Sequence, residues 1–277
     1  MKIAIISDIH SNLEALKATL RDIYTKDVDK IICLGDIIAK GHHPKECLQL
    51  IQENCDIVLQ GNCDKVFSTG VFYGTPTEQD KERLVWNQSF LNDQDKEFLA
   101  TRPFSHEFYM SGSLVRLFHA TPISDHTPVI AQDSLETKYQ MFLPSENTSS
   151  QRIADVVIYG HIHHQYMDLL YNKTIINVGS IGNSFNVIRN PQKDSPVLET
   201  TKACYVIIEG DYGNTNYTQD ISFQFVKVPY SIDKELEDID KNLEKDNYLF
   251  EIRNGKYRNM QKINDNFSRL GVDVSKI

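Results

Sequence analysis

The chain has 277 residues, 40% of them hydrophobic and 24% charged, an ordinary globular balance with length for one large core or a large domain with a small appendage. Its formal net charge of −9, from 29 Lys and Arg against 38 Asp and Glu, argues against a protein that grips nucleic acid through a broad basic surface. No apolar run approaches the roughly 18 residues of a membrane span, the first residues enter a strand without a signal-peptide core, and five scattered cysteines form no CxxC pair, so a reduced, cytoplasmic protein is expected.

Lys2 to Ser7 is a short Ile-rich run of the kind buried strands use, and Asp8-Ile9-His10 follows it directly. Asn12 to Tyr24 sets Leu13, Leu16, Leu20 and Ile23 at helical spacing before a second strand, Lys30 to Leu34, that ends in Gly35-Asp36. Pro44 to Asn54 repeats the pattern with Cys47, Leu48 and Ile51 on one face, ahead of a third strand, Asp56 to Gln60, that ends in Gly61-Asn62-Cys63-Asp64. Two successive crossovers imply a parallel sheet. From Val66 the alternation gives way to two helices. The first opens at Thr75-Pro76-Thr77-Glu78, read as a capping box with proline at the first helical position and Leu84 and Phe90 on its core face; the second covers Asp93 to Ala100.

Phe108 to Met110 and Leu114 to Phe118 flank Ser111-Gly112-Ser113 as a hairpin, which makes the sheet mixed, and His119 follows. Ser124 to Gln151 is polar and weakly patterned, a lid over the site or a plain insertion. Asp155 to Tyr159 leads into Gly160-His161-Ile162-His163. Thr174 to Val178, Ala203 to Glu209 and Phe223 to Val228 read as further strands that complete a second sheet, with Asp211 to Asp220 as a turn. Asp233 to Leu249 and Tyr257 to Leu270 read as charged helices. The expected organisation is one domain over 1–230 and a helical extension over 231–277 packed on it.

Every metal-type residue named above follows a strand, and open α/β sheets gather function beyond the carboxyl ends of their strands. Residues two apart in extended chain point the same way, so Asp8 with His10, and His161 with His163, are expected as two-toothed clamps. With Asp36, Asn62 and His119 they give seven oxygen and nitrogen donors, more than one ion uses. Two divalent ions sharing a carboxylate are expected, and such a pair generates hydroxide near neutral pH for in-line attack on phosphorus. The mixed donor set accepts manganese, iron or zinc; manganese or iron is preferred.

These five motifs together resemble those of the calcineurin-like metallophosphoesterases, and the Asn177-Val178-Gly179-Ser180 segment resembles one at the site's edge in the compact bacterial and archaeal phosphodiesterase branch. The resemblance covers residues 1 to about 228 and implies an α/β fold, a four-layer α-β-β-α sandwich of two mixed sheets with helices outside. It also implies a first ion on Asp8, His10, Asp36 and His163 and a second on Asp36, Asn62, His119 and His161, with Asp36 bridging. Asp36, Asn62 and His119 are the catalytic expectation. Cys63, Asp64, His42, His126 and Gly179 are the candidates for supporting or substrate contacts.

Cys63 departs from the family pattern, in which many members carry a histidine thought to protonate the leaving group. A thiol is the poorer acid at neutral pH, so stable leaving groups are expected: activated phosphodiesters and the phosphoanhydrides of dinucleoside polyphosphates. His42, His43 and His126 could overhang the site as substitute acids, or be solvated loop residues, and Lys40 and Arg189 are cations that could meet phosphate. The expected partner is a small, nucleotide-derived phosphorylated substrate, with no membrane, no stable nucleic acid, and self-association left open. The alternatives are a serine/threonine protein phosphatase, which Cys63 disfavours, a nuclease, which the acidic balance disfavours, and a non-catalytic metal-binding scaffold, disfavoured because all seven ligands are present.

Overall fold

The computed structural model describes residues 1–184 and 201–255. Parallel strands β1 (Lys2–Ile6), β2 (Lys30–Cys33) and β3 (Ile57–Val58) are linked by helices α1 (Leu13–Tyr24) and α2 (Pro44–Asn54), as the crossover pattern requires. Alternation then sorts the side chains of β1. Ala4 and Ile6 face Leu16, Leu20 and Leu48 of the helices, whereas Ile3 and Ile5 face a second sheet.

That second sheet contains β4 (Ser105–Met110), β5 (Ser113–Phe118), β6 (Val156–Tyr159), β7 (Tyr166–Leu170) and β8 (Lys173–Asn177), in the order β4-β5-β6-β8-β7. The layer between the sheets is Ile, Val and Leu from both, including Ile5, Leu34, Val115, Leu117 and Ile158. The architecture is the expected α/β sandwich of two mixed five-stranded sheets.

Strand assignment needs one correction. Of the three late strands expected to complete the second sheet, only β8 does. β9 (Ala203–Glu209) lies antiparallel to β1, and β10 (Ser222–Val228) lies beyond it at the edge of the first sheet. The reason is burial on both faces: Ala203, Tyr205 and Ile207 join the helical layer, while Val206 and Ile208 join the inter-sheet layer. Only the open flank of β1 offers both.

Other local expectations shift as well. Helix α3 (Asn62–Thr69) was not expected, since eight polar-rich residues show no clear period; Gly70 ends it at a φ of 73°. Helix α4 (Glu78–Gln88) is capped by Thr77, whose side chain accepts from the Asp80 amide while Asp80 returns the bond, so the box begins two residues later than expected. Leu84 packs on the core but Phe90 is exposed and lies outside the helix. Helix α5 (Asp93–Ala100) carries its own box from Asn92 and Asp95. The long polar loop contains a short helix, α6 (Leu135–Gln140), and is pinned by the fully buried Arg116, whose guanidinium pairs with Glu107 and donates to the Phe142 and Arg152 carbonyls.

The charged helix expected over Asp233 to Leu249 is broken into α7 (Ile232–Glu235), a 3₁₀ turn at Ile239–Lys241 and α8 (Lys245–Asn254). Leu236 closes the first piece, and Asp238, at a φ of 65°, precedes the 3₁₀ turn. This segment packs on α1 and on the loop after Asp36, where Asn242 Nδ2 donates to the Lys40 carbonyl. The helix expected at Tyr257 to Leu270, like Arg189, lies outside the described residues. Among the described residues no helix is long and apolar enough to cross a membrane.

Candidate metal centre

The five motif loops meet where β1, β2, β3, β5 and β6 end. They are not extended there. Asp8, His10, Asp36, His161 and His163 have φ values of 55°, 48°, 53°, 67° and 59°, which places five of the seven expected ligands in the left-handed region. Each such residue costs on the order of 1 kcal/mol. The two clamps therefore converge through left-handed turns, which corrects the extended geometry expected from their spacing. Hydrogen bonds hold the turns: the Asp8 amide donates to the Gly35 carbonyl at 3.0 Å, the His10 amide to the Asp36 carbonyl at 3.0 Å, and the His161 amide to Asp8 Oδ2 at 2.9 Å.

Two motif glycines are set by close approach. A Cβ on Gly61 would lie 2.1 Å from the Asp36 amide nitrogen, and one on Gly160 would lie 2.1 Å from Ser7 Oγ and 2.7 Å from Asp8 Oδ2. Any side chain at either position would push apart the loops that carry the carboxylates.

The ligand atoms form two groups, Asp8 with His10 and His163, and Asp36 with His119 and His161, each within 4.8 Å. Asn62 joins the second group, its Oδ1 lying 3.0 Å from His119 Nε2 and 2.9 Å from His161 Nδ1. Asp36 stands between the groups. Its Oδ1 accepts from the Cys63 amide at the start of α3 at 2.7 Å, leaving Oδ2 3.7 Å from His10 Nε2 and 3.5 Å from His119 Nε2. Asp8, His10, Asp36, His119 and His163 are buried; Asn62 and His161 are half-buried and mark the open side.

The donor chemistry fits cations. Nδ1 of His10, His163 and His119 faces the carbonyls of Ile38, Asn183 and Leu34 at 3.2, 3.0 and 3.0 Å, so each ring donates there from Nδ1 and turns Nε2 inward, where the neutral ring offers a lone pair. Two such lone pairs, on His10 and His163, then stand 3.0 Å apart with Asp8 Oδ1 3.3 Å from the latter. Asp8 Oδ1 is buried without a hydrogen-bond partner. Acceptors facing acceptors in a buried site call for a positive charge.

The field agrees. Burial works against ionised Asp8 and Asp36, but neighbouring imidazoles, His163 for the first and His119 for the second, hold both carboxyls below the usual range. Burial likewise opposes a charge on His119, yet Asp36 raises it to about 9; burial and His119 push His161 down to about 4.

The supporting candidates separate. Asp64 Oδ1 accepts from the Ile37 and Ile38 amides at 2.9 and 3.2 Å, bracing the loop after Asp36; burial and then Asp36 push its carboxyl up to about 7. Burial and Asp36 raise the Cys63 thiol. Gly179 makes a left-handed turn against Cys204, while its neighbours brace the site: Asn177 Nδ2 donates to the Gly160 carbonyl and Ser180 Oγ to the Asp8 carbonyl at 2.7 Å. His42 is engaged elsewhere, with Nε2 3.0 Å from the Glu237 carbonyl of the C-terminal segment. His126 pairs with Asp125 at 2.9 Å and stacks on Tyr73, whose phenol burial, Asp125 and then the charge of Asp36 push up. Lys40 is the cation felt at both His10 and Cys63. Ser180 and Asn183 carry no chemical signature alone, and only their register against the motif loops reveals them.

Residues 1–190 match the model of the calcineurin-like phosphoesterase superfamily domain. The uncharacterized protein MJ0912 of Methanocaldococcus jannaschii is 29% identical over 252 residues, spanning 87% of this chain and 92% of that one. Among solved structures, a metallophosphoesterase from Sphaerobacter thermophilus aligns with a TM-score of 0.64 at 20% identity, over 92% of this chain and 99% of its own. A hypothetical protein from Pyrococcus horikoshii aligns with a TM-score of 0.71 at 14% identity over the same shares.

Proposed function

The chain belongs to the calcineurin-like phosphoesterase superfamily, and on that premise we propose that it is a two-metal hydrolase of phosphodiester or phosphoanhydride bonds. The observation that carries this reading is the pair of inward imidazole Nε2 atoms, 3.0 Å apart, beside an Asp8 oxygen that is buried without a hydrogen-bond partner. Asp8, His10, Asp36 and His163 would hold one ion, and Asp36, Asn62, His119 and His161 the other. Manganese or iron is the preferred occupant and zinc the alternative. When bound, such a pair supplies Lewis-acid polarisation of a phosphoryl group and acidifies water at neutral pH.

The chain's own residues do the rest. Left-handed turns and backbone carbonyls fix the imidazoles before substrate arrives, so little ordering remains at the reacting centre. Asn62 and His161, on the open side, are the ligands nearest to incoming substrate, and Lys40 adds positive potential beside His10. Cys63 occupies the position where an imidazole would serve as acid, and a thiol serves poorly. His42 is turned to the C-terminal segment. His126, another candidate acid, is held by Asp125 and stacked on Tyr73. Leaving groups that depart as stable anions are therefore preferred, which favours nucleotide-derived diesters and anhydrides over phosphoserine.

The test combines metal analysis of purified protein with a hydrolysis panel of nitrophenyl diesters, dinucleoside polyphosphates, cyclic nucleotides and phosphopeptides. Two ions per chain and cleavage of the first two classes are expected. One well-occupied ion and no turnover would support the scaffold instead, and rapid phosphopeptide hydrolysis would overturn the leaving-group argument.

A further inference from the structure

A second set of ligand-type side chains lies outside the crevice. His42 and His43 end the loop that begins at Asp36, and Glu235 closes α7 in the C-terminal segment; one donor atom from each lies within 4.8 Å of the others. His42 is more than nine-tenths buried, and Glu235 is fully buried. The two imidazoles face one another, with ring centroids 4.2 Å apart.

The tautomer of His42 gives the cluster its meaning. Its Nε2–H donates to the Glu237 carbonyl at 3.0 Å, so the proton resides there and Nδ1 carries the lone pair. That Nδ1 is buried and has no hydrogen-bond partner. A buried imidazole nitrogen left as a bare acceptor costs free energy, whereas a backbone carbonyl on one ring nitrogen and an ion on the other is the usual arrangement of a metal-ligating histidine. Burial pushes both imidazoles below their ordinary range, which keeps them neutral and able to ligate.

Glu235 already accepts from the Glu14 amide at 3.0 Å and from the Tyr248 hydroxyl at 2.9 Å, which orients its carboxylate and leaves further lone pairs. The nearby lysines, Lys17 and Lys234, pair with Glu14 instead. His43 is only half-buried and leaves a way in from solvent.

We infer that His42, His43 and Glu235 form a third metal site, separate from the crevice, that takes a zinc-class divalent ion and clamps the C-terminal segment to the loop carrying Asp36. Two imidazoles and one carboxylate, completed by water, suit that class of ion. The clamp would reach the crevice through backbone: the Gly41 amide donates to the His10 carbonyl at 3.0 Å and the His43 amide to the Ser11 carbonyl at 3.3 Å. Its role is to fix loop position rather than to meet substrate.

The experiment is zinc binding by equilibrium dialysis with elemental analysis on the full chain, together with zinc-dependent hydrogen-exchange protection of residues 231–255. Wild type, His43→Ala, Glu235→Gln and His119→Ala are compared, each checked for folding by circular dichroism. His43→Ala and Glu235→Gln should each bind one equivalent fewer than wild type and lose the zinc-dependent protection. His119→Ala, which disturbs the crevice, should keep that protection, so the clamp stands or falls independently of the proposed activity. Either folded variant binding as much zinc as wild type, or zinc giving the segment no protection in wild type, overturns the site.

Discussion

Asp36 concentrates the logic of the crevice in one side chain, with Oδ1 on the α3 amide and Oδ2 facing imidazoles of both ligand groups. Asp36→Asn keeps an acceptor for the Cys63 amide but removes the charge, so the fold should persist while turnover falls by about 10²-fold or more. Metal content should fall with it, and His119→Ala should weaken only the second ion. If Asp36→Asn keeps most of its activity at limiting metal, Asp36 does not bridge. Cys63 is the complementary case, because on the proposed function it would set preference rather than competence. Cys63→His should speed hydrolysis of poor leaving groups by about 10-fold or more while leaving nitrophenyl diesters little changed, and Cys63→Ser should be neutral. A Brønsted plot as steep in Cys63→His as in wild type would rule out the acid role at this position. The residues that meet in the crevice were legible in the sequence because Asp, His and Asn are chemically conspicuous at strand ends. What holds them was not: the carbonyls of Leu34, Ile38 and Asn183 belong to residues of no particular type.

Helix α3 shows the same division at the scale of an element. It starts inside a metal motif, and its eight residues are too few to display a period, so the sequence marks the ligand but not the helix. It is tied to the loop after β5 by Lys65, which donates to Asp125 at 3.0 Å. Burial opposes ionisation of Asp125, but bonds from His126, Lys65 and Tyr73 outweigh it and hold the carboxyl below its usual range. A depressed carboxylate stabilises the fold above its unfolded pKa near 4, and that contribution is lost as pH falls through the lower folded value. Asp125→Asn should therefore melt below wild type at pH 7, and the gap should close as the pH is taken below about 4. A gap that stays constant over this range in thermal melts would mean packing, not charge, joins the two elements. The placement of β9 was missed for a related reason. A strand apolar on both faces announces that it is sandwiched, but not beside which neighbour, and only the open flank of β1 decides it. Thr77 rather than Thr75 is the cap, with Asp80 returning the bond from three residues on.

At the scale of the molecule, the buried carboxylates of Asp8 and Asp36 are a repulsive pair that bound cations would relieve. Chelation of a metal-replete sample should therefore lower the melting temperature by roughly 5 °C or more, restored by adding back manganese or zinc. An unchanged melt after verified metal removal would show that proton uptake alone settles the crevice. The parallel β1–β3 unit was foreseeable from short buried runs with helical crossovers between them, whereas the sandwich was expected from the resemblance of the motifs to a family. One feature of that sandwich bears on how the chain is made. The strand at the middle of the first sheet, β1, leaves the ribosome before its neighbours in that sheet, and one of them, β9, follows about two hundred residues later. At ordinary synthesis rates that is on the order of ten seconds or more during which a row of Ile residues presents an unpaired, sticky margin. The nascent protein thus has a window of vulnerability that the mature one lacks, and fragments ending before Ala203 should accumulate as aggregates where the full chain stays in solution.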